Sequence, residues 1–76
     1  MTLTGRWNYR VVRTTVQDGD ETFNSYAVHE AYYGEGGQLG WTEAPVAPVG
    51  ESLEELRKEL RQMEIALEYD IIDGDV

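Results

Sequence analysis

The sequence of 76 residues contains no cysteine, two prolines, one histidine and six Lys or Arg residues. The lack of cysteine excludes disulfide bonds, thiolate metal sites and cysteine nucleophiles. A chain of this length forms one small domain with a net stability of roughly 3–5 kcal/mol. Without disulfides, that stability must come from a well-packed core or from self-association, and the sequence leaves both open.

Long apolar runs are absent as well. No stretch approaches the length of about 18 apolar residues that a membrane-spanning helix requires. Arg6, Arg10 and Arg13 interrupt the N-terminal region, and no secretory cleavage pattern follows them. The sequence therefore predicts a cytoplasmic protein that makes no contact with membranes.

Basic residues are scarce relative to acidic ones: 15 Asp and Glu against six Lys and Arg give a formal net charge of −9. Residues 18–56 contain acidic residues and no Lys or Arg. Such a surface repels phosphates, so the charge argues against direct binding of nucleic acid. It favours solubility. It also leaves two alternatives open, a nucleic-acid mimic that inhibits a basic nucleic-acid-binding protein and a divalent-cation-binding protein.

Three segments have the apolar alternation and the β-branched and aromatic content of strands. They are residues 6–17, 22–33 and 39–43. Asp18-Gly19 predicts a hairpin turn between the first two segments, and the glycines of 34–37 predict a second turn. The sequence therefore predicts a three-stranded antiparallel β-meander.

Residues 52–68 are predicted to form an amphipathic helix, which Ser52 and Glu55 begin as a capping box. Five apolar residues recur along it at intervals of three and four: Leu53, Leu56, Leu60, Met63 and Leu67. We expect this stripe to pack on one face of the meander. The predicted fold class is α+β, in the order β-β-β-α.

The C-terminal tail leaves one choice open. Ile71 and Ile72 are candidates for a short final strand, or else they cap the core. Residues 73–76 are expected to fray.

The second predicted strand carries large apolar residues on both faces, and one helix covers one face. Phe23, Ala27 and Ala31 alternate with Tyr26 and Val28. The uncovered face is therefore predicted to bind a protein partner or to form a homodimer interface.

A further candidate partner surface lies around the crossing into the helix. Pro45 and Pro48 stiffen this crossing in an extended conformation. Trp41 precedes them, and an aromatic residue beside prolines is typical of partner-binding surfaces. His29 and Tyr33 of the second strand complete the candidate surface. The alternative interpretation places Trp41 in the core and gives the prolines a stiffening role alone.

No arrangement of residues predicts catalysis. His29-Glu30 lacks the second histidine of a zinc-protease motif, and neighbours in a strand point to opposite faces, which excludes an acid–base pair. The Asp-Gly-Asp triplets at 18–20 and 73–75 lack the twelve-residue loop and flanking helices of an EF-hand. The sequence predicts a protein that is not an enzyme and that has no catalytic residue, metal site or cofactor.

Four segments together resemble a group of small acidic bacterial proteins: WNYRVV (7–12), VHEAYY (28–33), GWTEAPVAPVGES (40–52) and LEELRKEL (53–60). Ala31 departs from the pattern, where the group has a larger aliphatic residue. No function is established for that group, so the resemblance implies membership and no activity.

The order of a meander followed by a helix also resembles, more weakly, the HicB-like antitoxin domain, although APVAP (44–48) lengthens the crossing here. A likeness of fold implies little about function. The sequence therefore predicts a small non-catalytic protein-interaction module with an unnamed protein partner, and homodimerisation is one form that it would take.

Overall fold

A computed structural model of the protein describes residues 6–75. Its strands and helix are β1 Trp7–Asp18, β2 Glu21–Tyr33, β3 Leu39–Trp41, α1 Leu53–Ile65 and β4 Ile72–Asp73. Two 3-10 turns cover Glu35–Gly37 and Ala66–Glu68. The protein is α+β, with a four-stranded mixed sheet and one C-terminal helix.

The hairpin of β1 and β2 forms the long axis of the sheet. Its antiparallel register places Trp7 opposite Tyr32 and Asp18 opposite Glu21. Gly19 has a φ of 63° and is the first of the two loop residues. A glycine with positive φ at that position is typical of a type II′ turn. The predicted hairpin is confirmed, and its loop lies one residue later than Asp18-Gly19.

The two short strands lie at opposite edges, in the order β3-β2-β1-β4. β3 pairs with β2 in the antiparallel sense, and β4 pairs with β1 in the parallel sense, with Ile72 opposite Val12. The sequence predicts three strands and leaves a fourth open. The structure has four, and the sheet is mixed because α1 returns the chain to the far edge in the direction of β1.

The tail is predicted to fray over 73–76, and the structure differs over the described part of it. The backbone N–H of Gly74 donates to the carbonyl oxygen of Arg13 at 2.7 Å. Gly74 lies so close to β1 that a Cβ atom there would be 2.7 Å from a methyl carbon of Val12. Val76 lies outside the described residues.

Two carboxylates of the tail also bind β1. Asp73 accepts from the guanidinium group of Arg13 at 2.6 Å, and Asp75 accepts from the backbone N–H of Thr15 at 3.1 Å. Hydrogen bonds from the hydroxyl and backbone N–H of Thr15, together with the charge of Arg13, lower the pKa of Asp75. These contacts fix residues 73–75 along the β1 edge.

The two faces of the sheet are named here after one residue each. The Val12 face of β1 and β2 carries Asn8, Arg10, Val12, Thr14, Ala27, His29, Ala31 and Tyr33. The Tyr9 face carries Trp7, Tyr9, Val11, Arg13, Tyr26, Val28, Glu30 and Tyr32. On the Val12 face, Val12, Ala31 and Ile72 form a buried cluster against which Trp41 packs.

The helix begins as its capping signal predicts. The Ser52 hydroxyl oxygen accepts from the backbone N–H of Glu55 at 3.1 Å, and the Glu55 carboxylate accepts from the backbone N–H of Glu51 at 3.1 Å. Glu55 therefore reaches one residue beyond the N-cap. The chain enters α1 through Gly50, where a Cβ atom would be 2.5 Å from the backbone nitrogen of Leu56.

The helix lies on the Tyr9 face. The Tyr9 hydroxyl donates to the Glu59 carboxylate, Met63 of α1 is buried, and Ala66 in the following 3-10 turn is fully buried. The final residues predicted as helix, 66–68, form this 3-10 turn instead of continuing α1.

Candidate functional site

The residues predicted as a partner surface have different environments. His29 is only 5 % exposed, and its Nδ1 atom lies 2.8 Å from the carbonyl oxygen of Thr42. Trp41 is half-buried against the cluster of the Val12 face, where it pairs with Ala31. The structure therefore uses His29 and Trp41 to hold β3 on β2.

Tyr33 is also engaged within the sheet. Its hydroxyl accepts from the Arg10 guanidinium at 3.0 Å and donates to Asn8 at 2.8 Å. Pro45 and Pro48 are exposed. The five predicted residues thus divide into three that brace the sheet and two that lie on the outer side of the crossing.

The crossing continues the edge of the sheet past β3. The backbone N–H of Thr42 donates to Glu30 and that of Val46 to Val28, each at 3.0 Å. Pro45 and Pro48, which have no N–H, flank the donor Val46. Their placement fits the interpretation that the prolines stiffen the crossing.

The apolar stripe of the helix is the main difference from the sequence-based expectation. Of the five residues expected to pack on the sheet, only Met63 is buried, and Leu56 is half-buried. Leu53, Leu60 and Leu67 are 69 %, 49 % and 71 % exposed. One side of this stripe is therefore not packed against the sheet.

The reason lies in which helix residues face the sheet. At about 100° per residue, Glu59, Met63 and Ala66 lie on one side of the helix. Glu59 binds Tyr9, and the other two are buried. This orientation turns Leu53, Leu60 and Leu67 away from the sheet, so the apolar stripe straddles the edge of the contact.

Two charged residues complete the uncovered side. We call the row Leu53, Arg57, Leu60, Glu64 and Leu67 the outer stripe. The first four lie within about 40° of one line along α1, Leu67 follows in the 3-10 turn Ala66–Glu68, and all five are exposed. Arg13 forms ion pairs with Asp73 and Asp75, whereas Arg57 forms none with the residues that the structure describes.

The dimensions of the molecule exceed those of a compact chain of the same length. Its Cα radius of gyration is 14.3 Å, whereas a compact chain of this length has a radius of about 11 Å. Its accessible surface is 5936 Å², whereas about 4,700 Å² is typical of a compact monomer of this size. The accessible surface therefore exceeds that of a compact monomer by about 1,200 Å² over the whole chain.

A groove of about 450 Å³ lies where the helix meets the start of β1. Trp7 and Tyr9 line it on the strand, Ile65 on the helix and Tyr69 after the 3-10 turn. Burial and the Glu59 carboxylate raise the pKa of Tyr9 to about 12. The groove therefore combines aromatic and aliphatic residues with the polar residues Asn8, Glu59 and Gln62, and it holds a hydrogen bond between the helix and β1.

Replacing Tyr9 by phenylalanine is expected to lower the free energy of unfolding by about 1 kcal/mol near neutral pH, because a hydrogen bond to a carboxylate is lost. The folded-state pKa lies above the ordinary value of 10.0. The bond therefore stabilises the fold fully below about pH 10, and this contribution falls as the pH rises towards about 12. Urea unfolding across that range measures the difference between the two proteins.

Tyr26→Phe is the matched control, since Tyr26 is 58 % exposed on the same face. Equal stability losses for the two variants at neutral pH would contradict a role for Tyr9 in holding the helix. So would a difference that stays constant as the pH rises.

Acidic groups at the two ends of β2 lie far apart. Asp18, Asp20 and Glu21 lie at one end of β2 and Glu35 lies beyond the other, a separation of about 40 Å for a 13-residue strand. Asp73 and Asp75 are bound by β1. Across residues 6–75, no group of three or more His, Cys, Asp or Glu residues is placed to hold a metal ion.

The chain matches no family model, no curated protein and no solved structure. The two resemblances drawn from the sequence therefore stay predictions. Within the described residues, no helix combines the length and apolar character needed to cross a bilayer.

The sequence pattern predicts the helix but not which of its sides stays exposed to solvent. The signal was the seven-residue spacing of Leu53, Leu60 and Leu67 with charged residues between them. A repeat of seven is typical of a seam between helices.

Proposed function

We propose that the protein is a small non-catalytic protein-interaction module that binds through the outer stripe of α1. The observation that carries this proposal is the exposure of Leu53, Leu60 and Leu67 along one helix side. Burying a leucine side chain stabilises a complex by about 1.5–3 kcal/mol relative to leaving it exposed. Three such residues in line therefore favour a protein contact.

The crossing is an alternative location for the contact, because Pro45 and Pro48 are exposed there. The outer stripe is preferred because the crossing has its backbone donors engaged with β2 and its aromatic residue Trp41 packed on the core cluster. Contacts at the outer stripe need no rearrangement of the fold.

Site-specific photocrosslinking tests this function, and the lack of native cysteine makes labelling selective. Leu60→Cys is labelled with a benzophenone maleimide and irradiated alone and in lysate of the source cells. Thr22→Cys, exposed beside the hairpin turn, carries the same label as the control.

We expect protein adducts from position 60 in greater yield than from position 22. The mass of the adduct distinguishes a second copy of this chain from another protein. An absence of adducts at position 60, or equal yields at both positions, would overturn the proposed function.

A further inference from the structure

We infer that the outer stripe binds a second copy of this chain, with the two α1 helices antiparallel about a two-fold axis at Leu60. This inference rests on the proposed function and names the partner of the same site. Two observations carry it: the spacing of the leucines, and the position of the two charges between them.

The leucine spacing is symmetric about Leu60. Leu53 and Leu67 each lie seven residues from it. Leu53 is about 10 Å away along α1, and Leu67 lies in the 3-10 turn that directly follows α1. An antiparallel partner centred on Leu60 therefore places Leu53 opposite the partner's Leu67 and Leu60 opposite its own copy. A C2 interface is self-complementary in this way.

The charges select the antiparallel direction. Arg57 and Glu64 lie on either side of Leu60 within the same row. In the antiparallel arrangement, Arg57 meets the partner's Glu64, twice by symmetry. In a parallel arrangement with the same register, Arg57 meets its own copy and Glu64 its own copy, and like charges facing each other disfavour association.

The ion-pair pattern of the helix also permits this contact. The basic residues of the helix form no ion pair among the described residues. Arg57 is therefore available to an acidic group of the partner.

Disulfide trapping tests the direction of the helices. Leu60→Cys is expected to form a linked dimer on mild oxidation, and a mixture of Leu53→Cys and Leu67→Cys chains is expected to form a linked heterodimer. Leu53→Cys alone is expected to stay unlinked, because its two copies lie about 21 Å apart and a disulfide requires Cα atoms within about 7 Å.

Charge exchange tests the pairing in the native surface. By sedimentation, we expect Arg57→Glu to raise the dimer Kd about tenfold or more, since it faces the partner's Glu64. The double variant Arg57→Glu with Glu64→Arg is expected to restore the native Kd to within about threefold. Lys58→Glu, which makes the same charge change outside the outer stripe, is expected to leave the Kd unchanged, and circular dichroism checks that each variant is folded.

A chain that sediments as a monomer up to about millimolar concentration would overturn the inference, because a Kd above that range corresponds to a binding free energy weaker than about 4 kcal/mol. Linkage of Leu53→Cys to itself would overturn the antiparallel arrangement. A monomer that still yields adducts with another protein at position 60 would leave the proposed function standing and remove only the second copy as partner.

Discussion

Replacing Ile72 by alanine is expected to lower the free energy of unfolding by about 2–5 kcal/mol. Ile72 is 7 % exposed, pairs with Val12 across β4 and β1, and belongs to the cluster on which Trp41 packs. The loss includes the burial free energy of the removed carbon atoms and the cost of the cavity left behind. For a domain with roughly 3–5 kcal/mol of net stability, a loss of this size unfolds much of the population.

Ile71→Ala provides a control of the same residue type one position away. Ile71 is 57 % exposed, so we expect its substitution to change the free energy of unfolding by less than about 0.5 kcal/mol. Urea unfolding of both variants at one fixed protein concentration measures the contrast. Equal effects of the two substitutions would mean that the tail frays, as the sequence alone predicts, and that β4 contributes nothing to stability.

The elements with local signals could be predicted from the sequence. The hairpin follows from two strands of alternating apolar residues around an Asp-Gly pair, and the helix start follows from Ser52 and Glu55, whose hydrogen bonds span three or four residues. Such signals depend on neighbours in the chain. For that reason the predicted bounds of β1, β2 and the start of α1 differ from the structure by one residue.

The fourth strand could not be predicted in the same way. Its pairing joins Ile72 to Val12, and no local rule specifies a partner so distant in sequence. A two-residue strand also has no alternation to detect. The acidic triplet 73–75 carries a turn signal and a charge signal, and neither indicates that Arg13 and Thr15 of β1 bind it.

The exposed side of the helix shows that apolar periodicity alone does not predict which residues face the sheet. Leu53, Leu56, Leu60, Met63 and Leu67 span about 80° around the helix, which is wide enough to meet two different surfaces. Which part faces the sheet depends on the partner of Glu59, and the sequence does not give that partner. That partner is Tyr9, whose hydroxyl donates to Glu59. The leucine edge of the stripe then lies outside the contact with the sheet.

The positions of Trp41 and His29 could not be predicted from the sequence for a related reason. An aromatic residue at the end of an edge strand either packs or protrudes, and the outcome depends on the residue across the strand. Here that residue is Ala31, whose small side chain leaves room for the indole ring on the Val12 face. His29 is drawn into the same region by its contact with the Thr42 carbonyl oxygen.

Substituting Trp41 by alanine is accordingly expected to lower the free energy of unfolding by about 3 kcal/mol, the lower end for a large aromatic residue because Trp41 is half-buried. Trp41 is the partly buried apolar residue that packs against the cluster of Val12, Ala31 and Ile72 within the described residues. Its removal exposes the cluster to water and weakens the attachment of β3.

Trp7→Ala is the matched control, since Trp7 is 49 % exposed and contacts Tyr9 edge-on at a centroid distance of 5.1 Å. We expect a loss of about 1 kcal/mol from that contact. Thermal melts and urea unfolding compare the two variants, and the fluorescence of each reports the remaining tryptophan, with the bluer emission from Trp41. A Trp41→Ala protein that keeps its stability but loses the position-60 adduct would extend the binding surface from the outer stripe to the crossing, because Trp41 would then act on a partner and not on the core.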